Sequence, residues 1–366
     1  MPAAHPTARP VGLERPLVVT ADPDVLDDLL RLAATAGAEV QVAADAGAAR
    51  PAWSTAPLVL LGPDVPEACA RLGLPRRTGV VLVGVDLDDA GIWQRAVSVG
   101  AEHVAFLPDG ERWLSDRLAD AAEGGGPAGA VVAVLGGRGG AGATTLACAL
   151  AVTAARTGSS VLLVDGDPLG GGIDLVFGEE EDGGVRWRDF AATRGRVPSA
   201  VLAGALPRSH GLSVLSWDRG DTRTVPAEAV ESVLAAGRRS HDLVVVDLPR
   251  TVDEASRVVL SAATTVLLVV PQEVRAAAAA SRVAAAVGVL CRDLRVVTRG
   301  PSPTGLAGTQ VARALGLPLL GELRPERGLE AALERGDPPG LRPRSPLGRL
   351  CAALLEELLP PVRRAA

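Results

Sequence analysis

Lysine, asparagine and tyrosine are missing from all 366 residues of this chain, and aromatic residues make up only 2% of it. The three missing types share A/T-rich codons, so a GC-rich genome accounts for their absence without a functional meaning. With so few rings and 48% apolar residues, valine, leucine and alanine must fill the core. The cysteines Cys69, Cys148, Cys291 and Cys351 form no C-x-x-C pair. That excludes a zinc-type spacing or a disulfide framework and fits buried thiols in a reducing compartment. His5, His103, His210 and His241 share no spacing that suggests a metal site or a triad. No apolar run approaches the ~20 residues of a membrane-spanning helix. The opening MPAAHPTARPVGLERP also lacks an apolar stretch of signal-peptide length, so a cytoplasmic protein is expected. A net charge of −6 gives no general attraction to nucleic acid or anionic lipid.

What is present points to two domains, as the length itself suggests. GGGPAGA, residues 124–130, has the composition of a flexible linker. The expected division is a first domain over 14–122, a Gly/Pro linker over 123–130 and a second domain over 131–366. In the first, PLVVT, AEVQVAA, APLVLLG, TGVVLVGVD and EHVAFLP read as strands. PDVLDDLLRLAATAG, AGIWQRAVSVG and ERWLSDRLADAA read as amphipathic helices between and after them. That alternation predicts a small doubly wound α/β domain. The order resembles the receiver domain of response regulators, a flavodoxin-like fold. The resemblance implies a phosphoacceptor aspartate at the end of the third strand, but Gly62 stands there, with Asp64 beyond the turn. The family's lysine after the fifth strand falls at Leu107. Asp22 and Asp24 read most simply as starting and capping the next helix. A pseudo-receiver that takes no phosphoryl group is expected.

In the second domain, the apolar strand AVVAVLGG runs into GGRGGAGATT, residues 136–145, and then into the helix-periodic ATTLACALAVTAARTG. The phosphate-loop pattern is G-x-x-x-x-G-K-[ST] in this strand–loop–helix setting. Gly137, Gly142 and Thr144 fall on its fixed positions, but Ala143 stands where the lysine belongs. Compositional drift away from lysine ordinarily gives arginine, so Ala143 is not explained by composition. Such a loop works because main-chain N–H groups and a helix N-terminus converge on phosphate oxygens. Gly137, Gly139, Gly140 and Gly142 allow that close approach. Thr144 offers a hydroxyl to Mg²⁺ and Thr145 one to an inner phosphate. Arg138, Ala141 and Ala143 complete the candidate nucleotide-binding stretch. What Ala143 removes is a point charge against the β- and γ-phosphates. The bland alternative is a glycine-rich turn with no ligand.

Two further pieces weigh against that alternative. VLLVDGDPLGGGIDLVFG ends an apolar strand in Asp165 and Asp167, and HDLVVVDLPRTVD ends one in Asp247, with Pro249 two residues on. Ligands of open parallel sheets sit at that strand edge. GLSVLSWD, ATTVLLVVP and LRVVTRG add further continuous apolar strands, as in a parallel sheet covered on both faces.

Loop, D-x-D and D-x-P in this order resemble the ParA/MinD family of P-loop ATPases, with a doubly wound parallel sheet. The resemblance implies Asp165 near the metal and Asp167 near the attacking water, as the candidate catalytic residue. It implies Asp247 reaching Mg²⁺ through water, and Thr144 on the same ion. It places Arg138 where a signature lysine reaches across a dimer, and Thr298 near the asparagine that reads adenine. ATP and Mg²⁺ are the implied cofactors and a homodimer the implied assembly. A receiver-like domain ahead of such an ATPase is similar to the CpaE/TadZ-like layout of Tad-pilus localisation factors. The loop, the DGDPLGGGIDLVFG stretch and the closing RSPLGRLCAALLEELL resemble its actinobacterial septum-site-determining (Ssd) branch. A positioning protein with a partner at the pole or septum is therefore expected. Hydrolysis is expected to be weak or absent, since both family lysines are gone. An active DNA-partitioning ATPase, the alternative, calls for a basic surface that the charge balance argues against. An amidoligase-like synthetase would need a further pocket with a catalytic lysine or histidine, and none is evident.

The last helix tests one more implied feature, membrane attachment. Ser345 and Pro346 form an N-cap and first turn. Leu347, Leu350, Cys351, Leu354, Leu355, Leu358 and Leu359 then line one face. Glu356 and Glu357 occupy the other face, and Arg363 and Arg364 follow only after Pro360 and Pro361, so packing onto the domain is expected over docking on lipid.

Overall fold

The computed structural model describes residues 15–123, 128–180, 183–193, 195–220 and 224–359. The chain divides into two compact units, Met1–Pro127 and Ala128–Ala366. Residues 124–127 of the expected linker, His5, Pro360, Pro361, Arg363 and Arg364 lie outside the described residues.

In the first unit, β1 (Leu17–Val19), β2 (Gln41–Ala43), β3 (Val59–Leu61), β4 (Val80–Gly84) and β5 (His103–Phe106) form one parallel sheet. Their order is β2-β1-β3-β4-β5, the flavodoxin-like doubly wound order. Side chains alternate between two apolar clusters, one with Leu61, Leu82, Trp53 and Ile92, the other with Leu60, Val81, Leu29 and Leu114. Two helices are additional to those expected from the sequence, Ala46–Trp53 and Pro66–Arg71. Both are short, about two turns, and the first carries Pro51 in its interior, so neither gives a periodic stretch long enough to stand out in the sequence. Asp45 nonetheless starts the first of them by accepting from the Ala48 amide at 2.8 Å. Asp22 does the same for Pro23–Thr35, accepting from Asp24 and Val25 amides.

The second unit is built on β6 (Ala130–Gly136), β7 (Val161–Asp165), β8 (Arg208–Ser209), β9 (Leu212–Leu215), β10 (Leu243–Leu248), β11 (Thr265–Pro271), β12 (Leu294–Arg299) and β13 (Leu319–Leu323). Their order is β13-β12-β11-β6-β10-β7-β9-β8, parallel except for β8 against β9. The central strands β11, β6, β10 and β7 are buried along almost their whole length, which is why they read as continuous apolar runs. The edge strand β13 is only partly buried along LLGEL, so no such run marks it.

Two helices stack on one face of this sheet. Ala143–Arg156 lies against the strands, with Leu146 to Ala154 buried. The last helix, Pro346–Leu358, packs on it and on β13. The Ser345 hydroxyl accepts from the Gly348 amide at 3.1 Å, and Leu347, Cys351, Leu354, Leu355 and Leu358 are buried in the shared cluster. Its apolar face is spent on the domain. Among the described residues, no helix is long and apolar enough to cross a membrane.

Candidate functional site

Strand β6 is central, between β10 and β11, so the loop after it opens at the middle of the sheet's C-terminal edge. That loop, 137–142, runs straight into helix Ala143–Arg156. Gly137 is held to the sheet, its amide donating to the Val269 carbonyl at 2.8 Å, and a Cβ there would lie 2.6 Å from that of Ala280. Gly140 and Gly142 take left-handed backbone, φ 67° and 97°, with Gly142 as the helix N-cap. A Cβ on Gly139 or Gly140 would meet no atom within 4 Å, so the main chain there stands open. A cavity of about 800 Å³ lies over this loop and is lined by Arg138 through Thr145, with Asp167 and Asp247. The expected loop residues Arg138 to Thr145 are thus gathered on one wall at the helix N-terminus, while Gly137 is packed against the sheet and does not line the space.

The two expected metal-side residues of different elements meet directly. The Thr144 hydroxyl donates to Asp247 Oδ2 at 2.6 Å. Register pairs Asp247 with Asp165 on adjacent parallel strands, so both carboxylates project on the same face, toward helix Ala143–Arg156. Burial pushes the Asp247 carboxyl up to about 7, opposed by the Thr144 hydrogen bond and reinforced by the neighbouring Asp165 charge. Burial likewise pushes Asp165 up to about 6, against the hydrogen bonds it accepts.

Asp165 is placed differently from its expected partners. Its oxygens are taken by the amides of Asp167 and Ile173, at 3.2 and 3.0 Å, and by the Ser216 hydroxyl at 3.0 Å. The cavity is lined by Asp167 and Asp247 but not by Asp165, which organises the segment carrying Asp167 from beneath. Gly166, between the two aspartates, donates its amide to the Asp247 carbonyl at 2.8 Å, and a Cβ there would lie 2.6 Å from that oxygen. Asp167 Oδ1 accepts from the Leu169 amide at 3.0 Å.

Thr298 and Arg138 take different places around the cavity. Thr298 is fully buried, within 3.4 Å of Gln272 Nε2 and packed on Gly308, and does not line the cavity. Its neighbour Arg299, at the end of β12, does. Arg299 Nη1 donates to the Gly140 carbonyl at 2.8 Å, a contact no motif announced. Arg138 is paired to Glu273 at 2.8 Å, so it is engaged within its own chain.

The donor set fits a nucleotide with its magnesium ion. A hydroxyl and a carboxylate are hard oxygen donors, and the open left-handed loop at a helix N-terminus suits phosphate. The family described as the CobQ/CobB/MinD/ParA nucleotide binding domain matches residues 132–339. The protein belongs to that family. Its first unit matches the Rv3660c-like, CheY-like N-terminal domain over residues 19–129. Two Mycobacterium tuberculosis proteins are similar along most of the chain, uncharacterized protein Rv3660c of strain H37Rv and uncharacterized protein MT3760 of strain CDC 1551. Each is 44% identical over 326 residues, covering 88% of this chain and 91% of its own. Among solved structures, the cell division ATPase MinD of Pyrococcus furiosus aligns with TM-score 0.55 at 21% identity, covering 63% of this chain and 98% of its own. The ParA family ATPase of Chlorobium tepidum aligns with TM-score 0.55 at 13% identity, covering 63% of this chain and all of its own. These two show the shared fold of the second unit.

In the CheY-like unit the turn after β3 is packed against the end of β1. Thr20 Oγ1 donates to Asp64 Oδ1 at 2.7 Å, and the Ala21 amide to Asp64 Oδ2 at 2.8 Å. A Cβ on Gly62 would lie 2.4 Å from Thr20 Oγ1 and 2.5 Å from Asp64 Oδ1. Leu107 is buried in the apolar cluster beside Leu114.

Proposed function

We propose that this chain is a nucleotide-responsive positioning protein of the Ssd/CpaE type that binds ATP with Mg²⁺ and turns it over weakly or not at all. The observation that carries the reading is the cavity bounded by the open glycine loop, the Thr144–Asp247 pair and Ala143. Gly139, Gly140, Ala141 and Gly142 would hold phosphate through the main chain, with Thr145 behind them, and Thr144 and Asp247 would hold Mg²⁺. The bound ion would neutralise phosphate charge. Asp167, at the cavity wall, is the candidate for orienting an attacking water. At Ala143 no ammonium group supports charge building on the transferred phosphoryl, which is why turnover is expected to be poor.

In this reading nucleotide state sets homodimerisation, and the CheY-like unit carries a docking surface for a protein partner at the pole or septum. The role is septum-site regulation or placement of a Tad-type pilus. DNA is not an expected partner, consistent with the net charge of −6. The test is titration of the full chain with ATP and Mg²⁺, followed by phosphate release with and without Ala143→Lys. Submillimolar, Mg²⁺-dependent binding with negligible turnover supports the reading. Robust turnover by the native chain would favour an active ATPase, and no binding would leave a passive adaptor.

A further inference from the structure

Ala143 leaves the loop without its phosphate-facing cation, yet the cavity is not without arginine. Arg138, Arg250, Arg299 and Arg324 all line it, alongside Asp167, Asp247 and the carboxylates Glu326 and Glu330. With that many acidic neighbours, a polyphosphate needs a local positive charge to enter. Arg138 gives Nη2 to Glu273, which offsets its charge, and Arg324 faces Glu322 at 3.8 Å. Arg250, beyond Pro249, lines the cavity with no hydrogen bond to the loop among the described residues, so Arg299 is set apart by its bond to the loop's main chain.

We propose that Arg299 supplies the phosphate-facing positive charge that Ala143 withdrew. The assignment rests on the nucleotide reading above and adds a residue to it. Strand β12 delivers Arg299 as its last residue, exposed after the buried Val296, Val297 and Thr298. Its Nη1 grips the loop itself through the Gly140 carbonyl at 2.8 Å. Nη1 also lies 3.7 Å from the point that a Cβ on Gly142 would occupy, one residue before Ala143. A guanidinium carries five N–H donors. One is spent on Gly140, and the others have no protein partner among the described residues. A planar fork with free donors beside a phosphate loop is suited to bidentate contact with phosphate oxygens. The charge enters from a neighbouring strand instead of from the loop's own helix, which is why the loop pattern alone does not show it.

The experiment is a calorimetric titration of the full chain with AMP, ADP and ATP in Mg²⁺, for the native protein, Arg299→Gln, Arg299→Lys, Ala143→Lys and the double variant Ala143→Lys/Arg299→Gln. Arg299→Gln is expected to weaken ATP and ADP about tenfold or more, and AMP far less. Arg299→Lys recovers part of the loss. Ala143→Lys is expected to strengthen binding much more in the Arg299→Gln background than in the native chain, since the two cations serve the same phosphates. A purely structural role in holding Gly140 would instead weaken all three nucleotides alike, with no rescue by Ala143→Lys, and would overturn the assignment. Native binding with an ATP-over-AMP preference untouched by Arg299→Gln also overturns it, while leaving the nucleotide reading intact. If the native chain binds none of the three nucleotides, the nucleotide reading falls and the assignment with it.

Discussion

Thr144 Oγ1 and Asp247 Oδ2 lie 2.6 Å apart, joining the first turn of helix Ala143–Arg156 to the end of β10. The bond belongs to the folded protein by itself, and it presets two oxygens beside the glycine loop. Thr144→Val keeps the shape and removes the donor, leaving a carboxylate that is only 4% exposed without this partner. At pH 8 this variant is expected to lose about 1–3 kcal/mol of stability in urea unfolding. It is also expected to lose most of the gain in nucleotide affinity that Mg²⁺ gives, while affinity measured in chelator stays near native. An unchanged Mg²⁺ dependence would remove Thr144 from the ion's surroundings.

Stability of the nucleotide-free protein should fall with rising pH across the neutral range. Burial raises Asp165 to about 6 and Asp247 to about 7, whereas an unfolded aspartate titrates at about 3.9. Between those values the folded chain holds more protons than the unfolded one. The stability present below about pH 4 is therefore lost as pH rises through 6 and 7, by up to about 1.4 kcal/mol per pH unit for each group. Hydrogen exchange of β10 and β7 peptides between pH 5 and pH 8, corrected for intrinsic rates, reads this locally. Protection should drop with pH in the native chain and drop less in Asp247→Asn. A flat native profile would contradict the burial argument.

In the CheY-like unit, Gly62→Asp should not restore a phosphoacceptor. The Thr20–Asp64 pair already fills the space, and even a Cβ on Gly62 would lie 2.4 Å from Thr20 Oγ1. Overpacking of this kind costs about 1–3 kcal/mol. We expect Gly62→Asp to be destabilised by that amount in denaturant unfolding, and Thr20→Ala to recover part of it, since both act on one contact. Incubated with acetyl phosphate and Mg²⁺, neither the native chain nor Gly62→Asp should gain a phosphoryl group by intact mass. A stable adduct on the native first unit would show that Asp64 can be freed.

Much of the site was legible because its parts are local. Glycines within one loop, an aspartate at the end of two apolar strands and the N-cap serine of the last helix all announce themselves in short windows of sequence. What was not legible comes from contacts between distant residues. Arg299 meets Gly140 across 159 positions, and nothing in LRVVTRG marks its guanidinium as part of the loop. Thr298 and Arg299 are adjacent on β12 and point to opposite faces, and of the two only Arg299 lines the cavity. Asp165 could be placed at the strand end from sequence, but not the Ser216 hydroxyl, 51 residues on, that helps claim its oxygens. Short helices such as Ala46–Trp53 stayed hidden because about two turns carry too little periodicity to stand out.

The last helix gives a prediction that separates packing from lipid attachment. Leu354, at 1% exposure, sits among Leu347, Cys351 and Leu358 against helix Ala143–Arg156. Leu354→Ala leaves a cavity there and should cost about 2–5 kcal/mol in urea unfolding. The outward face offers lipid little, since Glu356 is exposed and Glu357 is paired to Arg295 at 2.6 Å. To present its leucines to a bilayer, the helix would first have to leave this cluster, at a cost several times that of one leucine. The native chain is therefore expected not to float with phosphatidylglycerol vesicles, with or without ATP and Mg²⁺. Flotation that depends on nucleotide, and that is strengthened by Leu354→Ala, would mean that the helix undocks, and the packed arrangement would then be only one of two states.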